Sequence, residues 1–258
     1  MIAGSLVSCE GLFLFNPNQV VFSDDEKDLN RKSVERIRML PVTDTVRFIL
    51  MGDTQRFYDE SEDFVKSANG QEDIAFVLHA GDISDFGLSQ EFKWVNQIMK
   101  KLKYPYLTVI GNHDLLANGP IAYQRMYGNL NYSFEFGNHK FIFVDTNSRE
   151  YAFNGKVPDL QWLKSELDNN SSNKNAIVIG HMAPFHGDFD KNLESRYAEI
   201  LSSDPNVNFT LYGHQHSFSD SIYYNDGVHY HVTTTVGARG YMIVTSWNGG
   251  HKVERVTY

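Results

Sequence analysis

The sequence predicts an α/β fold, and two observations carry that prediction. Short apolar runs rich in β-branched residues alternate with segments whose apolar residues recur at three and four spacing. Successive strand-helix units of this kind place their strands parallel in one sheet. Towards the C-terminus the predicted strands are separated by short turns instead, which indicates an antiparallel portion.

Five of the predicted strands end in the same way. Each runs into a glycine and then into residue types that ligate metals. The five stretches are Gly52-Asp53-Thr54-Gln55, Gly81-Asp82, Gly111-Asn112-His113-Asp114, Gly180-His181 and Gly213-His214-Gln215-His216. Open α/β sheets bind ligands outside the carboxyl ends of their strands, so the sequence predicts a polar site at these five turns.

The order of these stretches resembles the calcineurin-like metallophosphoesterase superfamily, whose motifs are D-x-H, G-D-x-x-D, G-N-H-D/E, G-H and G-H-x-H. Four are matched, and the first is altered because Gln55 stands where histidine is usual. The resemblance runs from about Val46 to the C-terminus. It implies a four-layer sandwich of two mixed β-sheets flanked by helices, and hydrolysis of a phosphomonoester or phosphodiester by a water activated between two metals.

The resemblance also implies a set of metal ligands. Asp82 would bridge two divalent metal ions, for which manganese, iron or zinc are the expected identities. The other ligands would divide between the metals, with Asp53, Gln55 and His216 at the first and Asn112, His181 and His214 at the second. Because an amide oxygen is neutral and harder than an imidazole nitrogen, we expect Gln55 to weaken the binding of soft metals at the first site.

The same resemblance implies catalytic roles for two further residues. His113 would lie just outside the metal shell and act on the leaving oxygen as proton donor or charge stabiliser, with Asp114 holding its ring in position. Asp85 stands where purple acid phosphatases carry a tyrosine, so no tyrosinate-iron centre is expected. We expect Asp85 to form a turn or bind a nearby backbone group.

Several other polar residues lie near strand ends and are candidates for substrate contact. They are Arg56, Tyr58, Asn147, His186 and Arg239. The segment Pro184–Phe189, which follows His181, is expected to form part of the pocket rim.

Three further histidines receive structural interpretations. His79 lies within an apolar run and is expected to be a satisfied core histidine. His229 and His231 share one face of a predicted strand and could in isolation bind a metal, but we expect ordinary exposed strand histidines there.

The N-terminal stretch leaves two interpretations open. Leu6-Val7-Ser8-Cys9 resembles the lipobox of bacterial lipoproteins, and Cys9 would then be lipidated and attach the protein to a membrane. Alternatively, Cys9 is a buried thiol in an apolar strand. We favour the lipobox, with residues 1–42 as a tether containing a short helix and residues 43–258 as the catalytic domain. The expected location is then the bacterial cell envelope, and otherwise the cytoplasm.

Charge narrows the substrate classes. The formal net charge is −9, and no lysine- or arginine-rich block is present that could follow a phosphate backbone. We therefore expect a small or lipid-linked phosphoester rather than nucleic acid. The alternative is a catalytically weak relative that captures a phosphorylated ligand. The sequence does not indicate an oligomeric state.

Overall fold

The structure is a computed structural model that describes residue 16 and residues 18–170 and 174–258. The helices are α1 (Leu29–Arg38), α2 (Tyr58–Asn69), α3 (Ser89–Met99), α4 (Gly119–Met126), α5 (Leu160–Asp168) and α6 (Lys191–Ser203). The strands are β1 (Thr45–Met51), β2 (Val77–His79), β3 (Tyr106–Thr108), β4 (Tyr132–Phe136), β5 (His139–Phe143), β6 (Asn175–Ile179), β7 (Val207–Tyr212), β8 (Ser219–Ser221), β9 (His229–Val232), β10 (Gly240–Trp247) and β11 (Gly250–Thr257).

The strands form two mixed sheets. The first has the order β11-β10-β1-β2-β3, with β1, β2 and β3 parallel as predicted and β10 and β11 antiparallel. The second has the order β4-β5-β6-β7-β9-β8, parallel from β5 to β9 and antiparallel at both edges. The C-terminal portion is therefore only partly antiparallel, because β9 crosses over to lie parallel to β7.

Alternation along the strands produces the layers. On β1, Phe48 and Leu50 point into the core between the two sheets, whereas Ile49 and Met51 point to the helices α2, α3 and α4. The outer face of the second sheet packs against α5 and α6 through residues such as Val178. Two helical layers thus enclose two sheets, which confirms the four-layer sandwich.

Helix α1 packs its thin apolar face on the sandwich, as predicted. Val34 and Ile37 are buried in the core between the sheets. Next to them, the Asn30 side chain accepts from the Thr108 amide at 2.9 Å and donates to the Thr108 carbonyl at 3.2 Å. The Asn30 side chain therefore satisfies the backbone N–H and C=O of Thr108, which a neighbouring strand would otherwise pair on the edge strand β3.

Both interpretations of the N-terminal stretch fall outside the described residues. These are the lipobox at Leu6–Cys9 and the buried Cys9 thiol. Among the residues that the structure describes, no helix combines the length and the apolar character needed to cross a membrane. The proposed domain boundary at residue 43 stays a prediction.

Replacing Ile37 with alanine tests whether α1 is part of the folded unit. Ile37 is fully buried, so we expect Ile37→Ala to lower the free energy of unfolding by about 2–5 kcal/mol in denaturant titrations. Met39→Ala is the matched control, because Met39 is 78% exposed. Equal stability of the two variants would show that α1 does not belong to the cooperative core.

Candidate metal centre

The ends of strands from both sheets meet at one place. The His181 ring, which follows β6, donates from Nδ1 to the carbonyl of Ala80, which follows β2, at 2.6 Å. The amide of His214, after β7, donates to Oδ2 of Asp53, after β1, at 3.3 Å. These cross-sheet bonds bring the sequence motifs that follow the strands together, as the sequence predicted.

Two of the glycines permit this close approach. A Cβ atom on Gly81, whose φ is +91°, would lie 2.7 Å from His181 Nδ1 and 2.8 Å from the Gly111 amide. A Cβ atom on Gly111 would lie 2.0 Å from the Asp82 amide nitrogen and 2.2 Å from its Oδ1. The turns after β2 and β3 therefore touch through backbone, which leaves no room for larger residues.

Four of the predicted ligands have left-handed backbone conformations. The φ angles are 55° at Asp53, 58° at Asp82, 68° at His214 and 54° at His216. Such conformations cost of order 1–3 kcal/mol each and persist only where the surrounding structure enforces them. Here they aim four side chains into a common space, so the strain is a property of the site.

The first predicted ligand group surrounds Asp53. Its Oδ1 lies 3.3 Å from His216 Nε2, and Gln55 Nε2 donates to Asp82 Oδ2 at 3.3 Å. Asp53 Oδ1 and Gln55 Oε1 are buried, and neither accepts a hydrogen bond from the described residues. Two buried oxygen acceptors without a donor indicate a place for a cation.

The second group surrounds His181. Because its Nδ1 donates to a carbonyl, Nε2 is the free ring nitrogen, and it lies 3.0 Å from Asn112 Oδ1 and 3.4 Å from Asp82 Oδ2. One ligand atom each from Asp82, His181 and His214 lies within 4.8 Å of the others. Asp82 thus takes part in both groups, as a bridging carboxylate must.

The electrostatics of the cluster favour positive charge. Burial raises the pKa of Asp53. Burial acts in the same sense on Asp82, but the neighbouring His181 outweighs it and lowers the pKa of Asp82 to about 2. Burial opposes protonation of His181, yet the adjoining Asp82 raises the pKa of His181 to about 10. The buried carboxylates therefore favour positive charge in their midst.

These donors fit divalent metal ions. Carboxylate, amide and imidazole ligands suit manganese, iron or zinc, and Gln55 offers a hard neutral oxygen where the sequence suggested one. The unpartnered oxygens of Asp53 and Gln55 are the observation that decides the fit.

The prediction that Asp114 orients the His113 ring is wrong. Asp114 is fully buried, and its Oδ1 accepts from the Ile83 amide, the Ser84 amide and the Ser84 hydroxyl at 2.7–2.9 Å. Its Oδ2 accepts from the Gly111 amide at 2.9 Å. The carboxylate therefore fastens the loop after β2 to the turn after β3, so its role is to position these backbones.

Asp85 holds His113 instead. His113 Nδ1 donates to the Asp85 carbonyl at 2.9 Å, and the Asp85 carboxylate lies 3.5 Å from the same nitrogen. This carboxylate also pairs with Arg56. The Asp85 carboxylate thus faces two side chains, Arg56 and His113, and this convergence was not apparent from the sequence.

Among the substrate-contact candidates, Asn147 is a wrong prediction. It is fully buried and donates to the Ile110 carbonyl at 3.0 Å and to Asp145 at 2.8 Å, so it supports the strand end below Asn112. Tyr58 packs against Trp94, and Arg239 pairs with Asp63 on α2. Neither of these two side chains joins the ligand groups.

Arg56 and His186 lie where the sequence suggested. Arg56 is paired with Asp85 beside His113, and its side chain remains 58% exposed. The His186 ring meets the His214 ring edge-on at 4.5 Å between centroids.

An open depression of about 550 Å³ lies over the candidate metal centre. It is lined by Phe185, His186, Gly187, His214, Gln215, His216 and Ser217, so the segment Pro184–Phe189 does form part of the rim. Asp188 of the same segment was not singled out from the sequence. Its Oδ2 lies 3.4 Å from His214 Nε2 and 2.9 Å from Arg149.

His79 is a satisfied core histidine, as predicted. It is buried, its Nε2 lies 2.9 Å from the Thr54 hydroxyl, and its Nδ1 accepts from the Gly81 amide. Burial lowers the pKa of His79 to about 3, so the ring is neutral.

Comparison with known families agrees with this geometry. The sequence profile of the family described as calcineurin-like phosphoesterase matches residues 46–218. The chain belongs to the calcineurin-like phosphoesterase family. Family membership supports metal-dependent hydrolysis of a phosphoester by this calcineurin-like chain.

Individual relatives are distant. The chain is 23% identical to an uncharacterized Bacillus subtilis protein, YvnB, over 77% of this chain and 17% of that protein. It is 27% identical to a probable cyclic nucleotide phosphodiesterase of Coxiella burnetii, over 58% of this chain and 63% of the relative. It is 26% identical to a probable glycerophosphodiester phosphodiesterase, GpdQ, of Arcobacter nitrofigilis, over 57% of this chain and 58% of the relative. Each match spans less than two thirds of the relative's length.

Solved structures show the same fold. A dimetal phosphatase from Danio rerio superposes with a TM-score of 0.66 at 16% identity, covering 83% of this chain and 99% of that one. The calcineurin-like phosphoesterase YfkN from Bacillus subtilis gives 0.50 at 12% identity, covering 83% and 90%. The sandwich is therefore that of the calcineurin-like phosphoesterases.

Replacing Gln55 tests its place in the first ligand group. We expect Gln55→His to tighten zinc binding there about tenfold or more, worth ~1.4 kcal/mol, because imidazole is the softer donor. Gln55→Ala should weaken binding at the same group, and chelator competition measures both. Unchanged affinity in both variants would show that Gln55 is not a ligand.

Substitutions at Asp114 and at Asp85 should change different properties of the protein. In Asp114→Asn an amide N–H faces backbone donors, so we expect a loss of about 2–4 kcal/mol in the free energy of unfolding. Asp85→Asn leaves those donors satisfied and should leave stability nearly unchanged, while lowering turnover through its contacts with His113 and Arg56. If Asp114→Asn kept full stability and only turnover fell, the roles assigned to Asp114 and Asp85 would be wrong.

Proposed function

We propose that this calcineurin-like phosphoesterase is a two-metal phosphodiesterase acting on a small substrate, with manganese, iron or zinc as its metals. The observation that carries the proposal is the meeting of two ligand groups that share Asp82. Asp53, Gln55 and His216 complete one group; Asn112, His181 and His214 complete the other.

When bound, two divalent cations would supply charge neutralisation for the phosphoryl group and a nucleophile from water near neutral pH. The chain's own residues would bind the metal ions and orient the groups that act on the substrate. Asp82 serves both groups. Its Oδ1 also accepts from the His113 amide at 2.9 Å, which fixes the start of the turn that carries His113.

His113 is the candidate proton donor. Its Nδ1 hydrogen is held by the Asp85 carbonyl, so Nε2 is the nitrogen that can give a proton to the leaving oxygen. The Asp85 carboxylate lies 3.5 Å from the same Nδ1 atom and so also faces the ring. The His113 side chain is 33% exposed, so a substrate can reach it.

The charge around the depression favours a diester over a monoester. Among its described lining residues there is no lysine or arginine, and the two nearby arginines, Arg56 and Arg149, are paired with Asp85 and Asp188. A phosphomonoester dianion gains from an additional unpaired cation, whereas the single charge of a diester needs none.

Two further observations support a small diester. The relatives from Coxiella burnetii and Arcobacter nitrofigilis are both named as probable phosphodiesterases. On the rim, Phe185 stacks on Tyr223 with centroids 4.3 Å apart, which gives an apolar wall suited to an aromatic leaving group or a nucleobase.

Turnover of two chromogenic esters tests the proposal. The metal-stripped protein, resupplied in turn with manganese, iron, zinc or magnesium, should cleave bis-p-nitrophenyl phosphate faster than p-nitrophenyl phosphate. His113→Ala should bind the same amount of metal and lose most of this turnover. Preference for the monoester would overturn the diester assignment, and loss of metal from His113→Ala would overturn its role outside the metal shell.

The same assay distinguishes a phosphoesterase from a non-catalytic relative that only binds metal and ligand. If metal binds and neither ester is cleaved with any metal, the hydrolase proposal is overturned in favour of a relative that captures a phosphorylated ligand. An envelope location is a separate proposal that rests on Leu6-Val7-Ser8-Cys9 alone.

A further inference from the structure

A second cluster of histidines lies outside the metal centre. His229 and His231 on β9 and His251 on β11 each offer one ring nitrogen, and these three nitrogens lie within 4.8 Å of one another. The sequence suggested exposed strand histidines, but His231 is buried and His229 is half-buried. His251, which no sequence pattern linked to them, completes the group.

The contacts within the cluster leave lone pairs unused. His231 Nε2 lies 2.8 Å from His251 Nε2, and only one of these nitrogens can carry the hydrogen between them. His231 Nδ1 is buried and has no hydrogen-bond partner among the described residues. Neutral imidazole is the form that binds metals, so a divalent ion can take the place of the hydrogen that His231 and His251 share.

Asp220 on β8 supplies the neighbouring negative charge. Its Oδ1 lies 3.4 Å from His229 Nδ1 and 3.3 Å from His231 Nδ1. A carboxylate behind a ligating imidazole is the usual arrangement that fixes the ring and increases its basicity. Because Nδ1 of both rings faces Asp220, an ion would bind Nε2 of His229 and of His231, and the second of these already lies 2.8 Å from His251 Nε2.

The position of the cluster separates it from the phosphoesterase centre. His229 begins β9, whereas the chain beyond the other end of β9 reaches Thr235, whose hydroxyl donates to the Asp53 carbonyl at 2.9 Å. The strand β8 is the edge of the second sheet and β11 is the edge of the first. An ion bound here would link β9, next to the edge of the second sheet, to β11, the edge strand of the first sheet.

We propose that His229, His231 and His251 bind one zinc-class divalent cation, with Asp220 orienting the rings, and that this ion fastens β9 to β11. Three imidazoles with a nearby carboxylate match the ligand preferences of zinc. The site is structural and takes no part in phosphoester hydrolysis.

Zinc content and thermal stability test the site. The double variant His229→Gln/His251→Gln leaves the buried His231 in place. After loading with zinc and gel filtration, we expect the wild-type protein to retain one more equivalent of zinc than this variant. Zinc should also raise the wild-type melting temperature by more than it raises that of the variant. Lys252→Gln, next to His251 and 63% exposed at its side chain, should behave as wild type.

Activity separates this site from the metal centre. Manganese-dependent turnover of bis-p-nitrophenyl phosphate should be the same in the double variant and the wild type, which also shows that the variant is folded. If the double variant fails to fold, the single variant His251→Gln carries the same zinc comparison. Equal zinc content in wild type and folded variant would overturn the proposal, as would loss of turnover with unchanged zinc.

Discussion

Burying several carboxylates side by side is the constraint on which this structure depends. Asp53, Asp82 and Asp114 are all buried where the parallel strands end, and each carboxylate would be strongly disfavoured there without compensation. The compensation differs for each. Asp114 is surrounded by hydrogen-bond donors of two loops, Asp82 faces His181, and Asp53 retains an oxygen with no donor. The cluster is therefore complete only with added positive charge.

The fold makes such a cluster possible by bringing backbone into contact with backbone. The turns after β2 and β3 touch at Gly81 and Gly111, and the bond from His181 to the Ala80 carbonyl crosses from one sheet to the other. That bond also settles which His181 nitrogen is free. A contact that joins the two sheets thus also sets the direction of a candidate ligand, which explains why the candidate metal centre lies between the sheets and not on one of them.

The sequence was informative wherever function is carried by short contiguous stretches. Glycine followed by aspartate or asparagine marked the ends of β1, β2 and β3, and parallel strands present those ends at one edge, so Asp53, Asp82 and Asn112 could be placed together. His181 follows a strand of the other sheet, and only the family resemblance placed it with them. The sequence was less informative where the partner comes from a distant segment. Whether Asp114 meets His113 or the loop after β2 depends on how that loop folds over it. Nothing local to His251 indicates that β11 lies beside β9.

Asn147 shows the same limitation in another form. Its position after a strand indicated a site residue, but the side chain is buried and its NH2 group donates to the Ile110 carbonyl and to Asp145. Proximity to a strand end does not determine whether a side chain turns outward. The crossover that places β9 parallel to β7 was likewise hidden, because short turns on either side of β8 resemble those of an antiparallel meander.

The central claim is that Asp82 joins two metal sites into one. The most direct measurement is the electron paramagnetic resonance spectrum of the metal-stripped protein during titration with manganese. A shared carboxylate predicts an exchange-coupled manganese pair that develops as the second equivalent binds, and predicts its loss in Asp82→Asn. A spectrum of isolated manganese ions at every stoichiometry, unchanged by Asp82→Asn, would contradict the account.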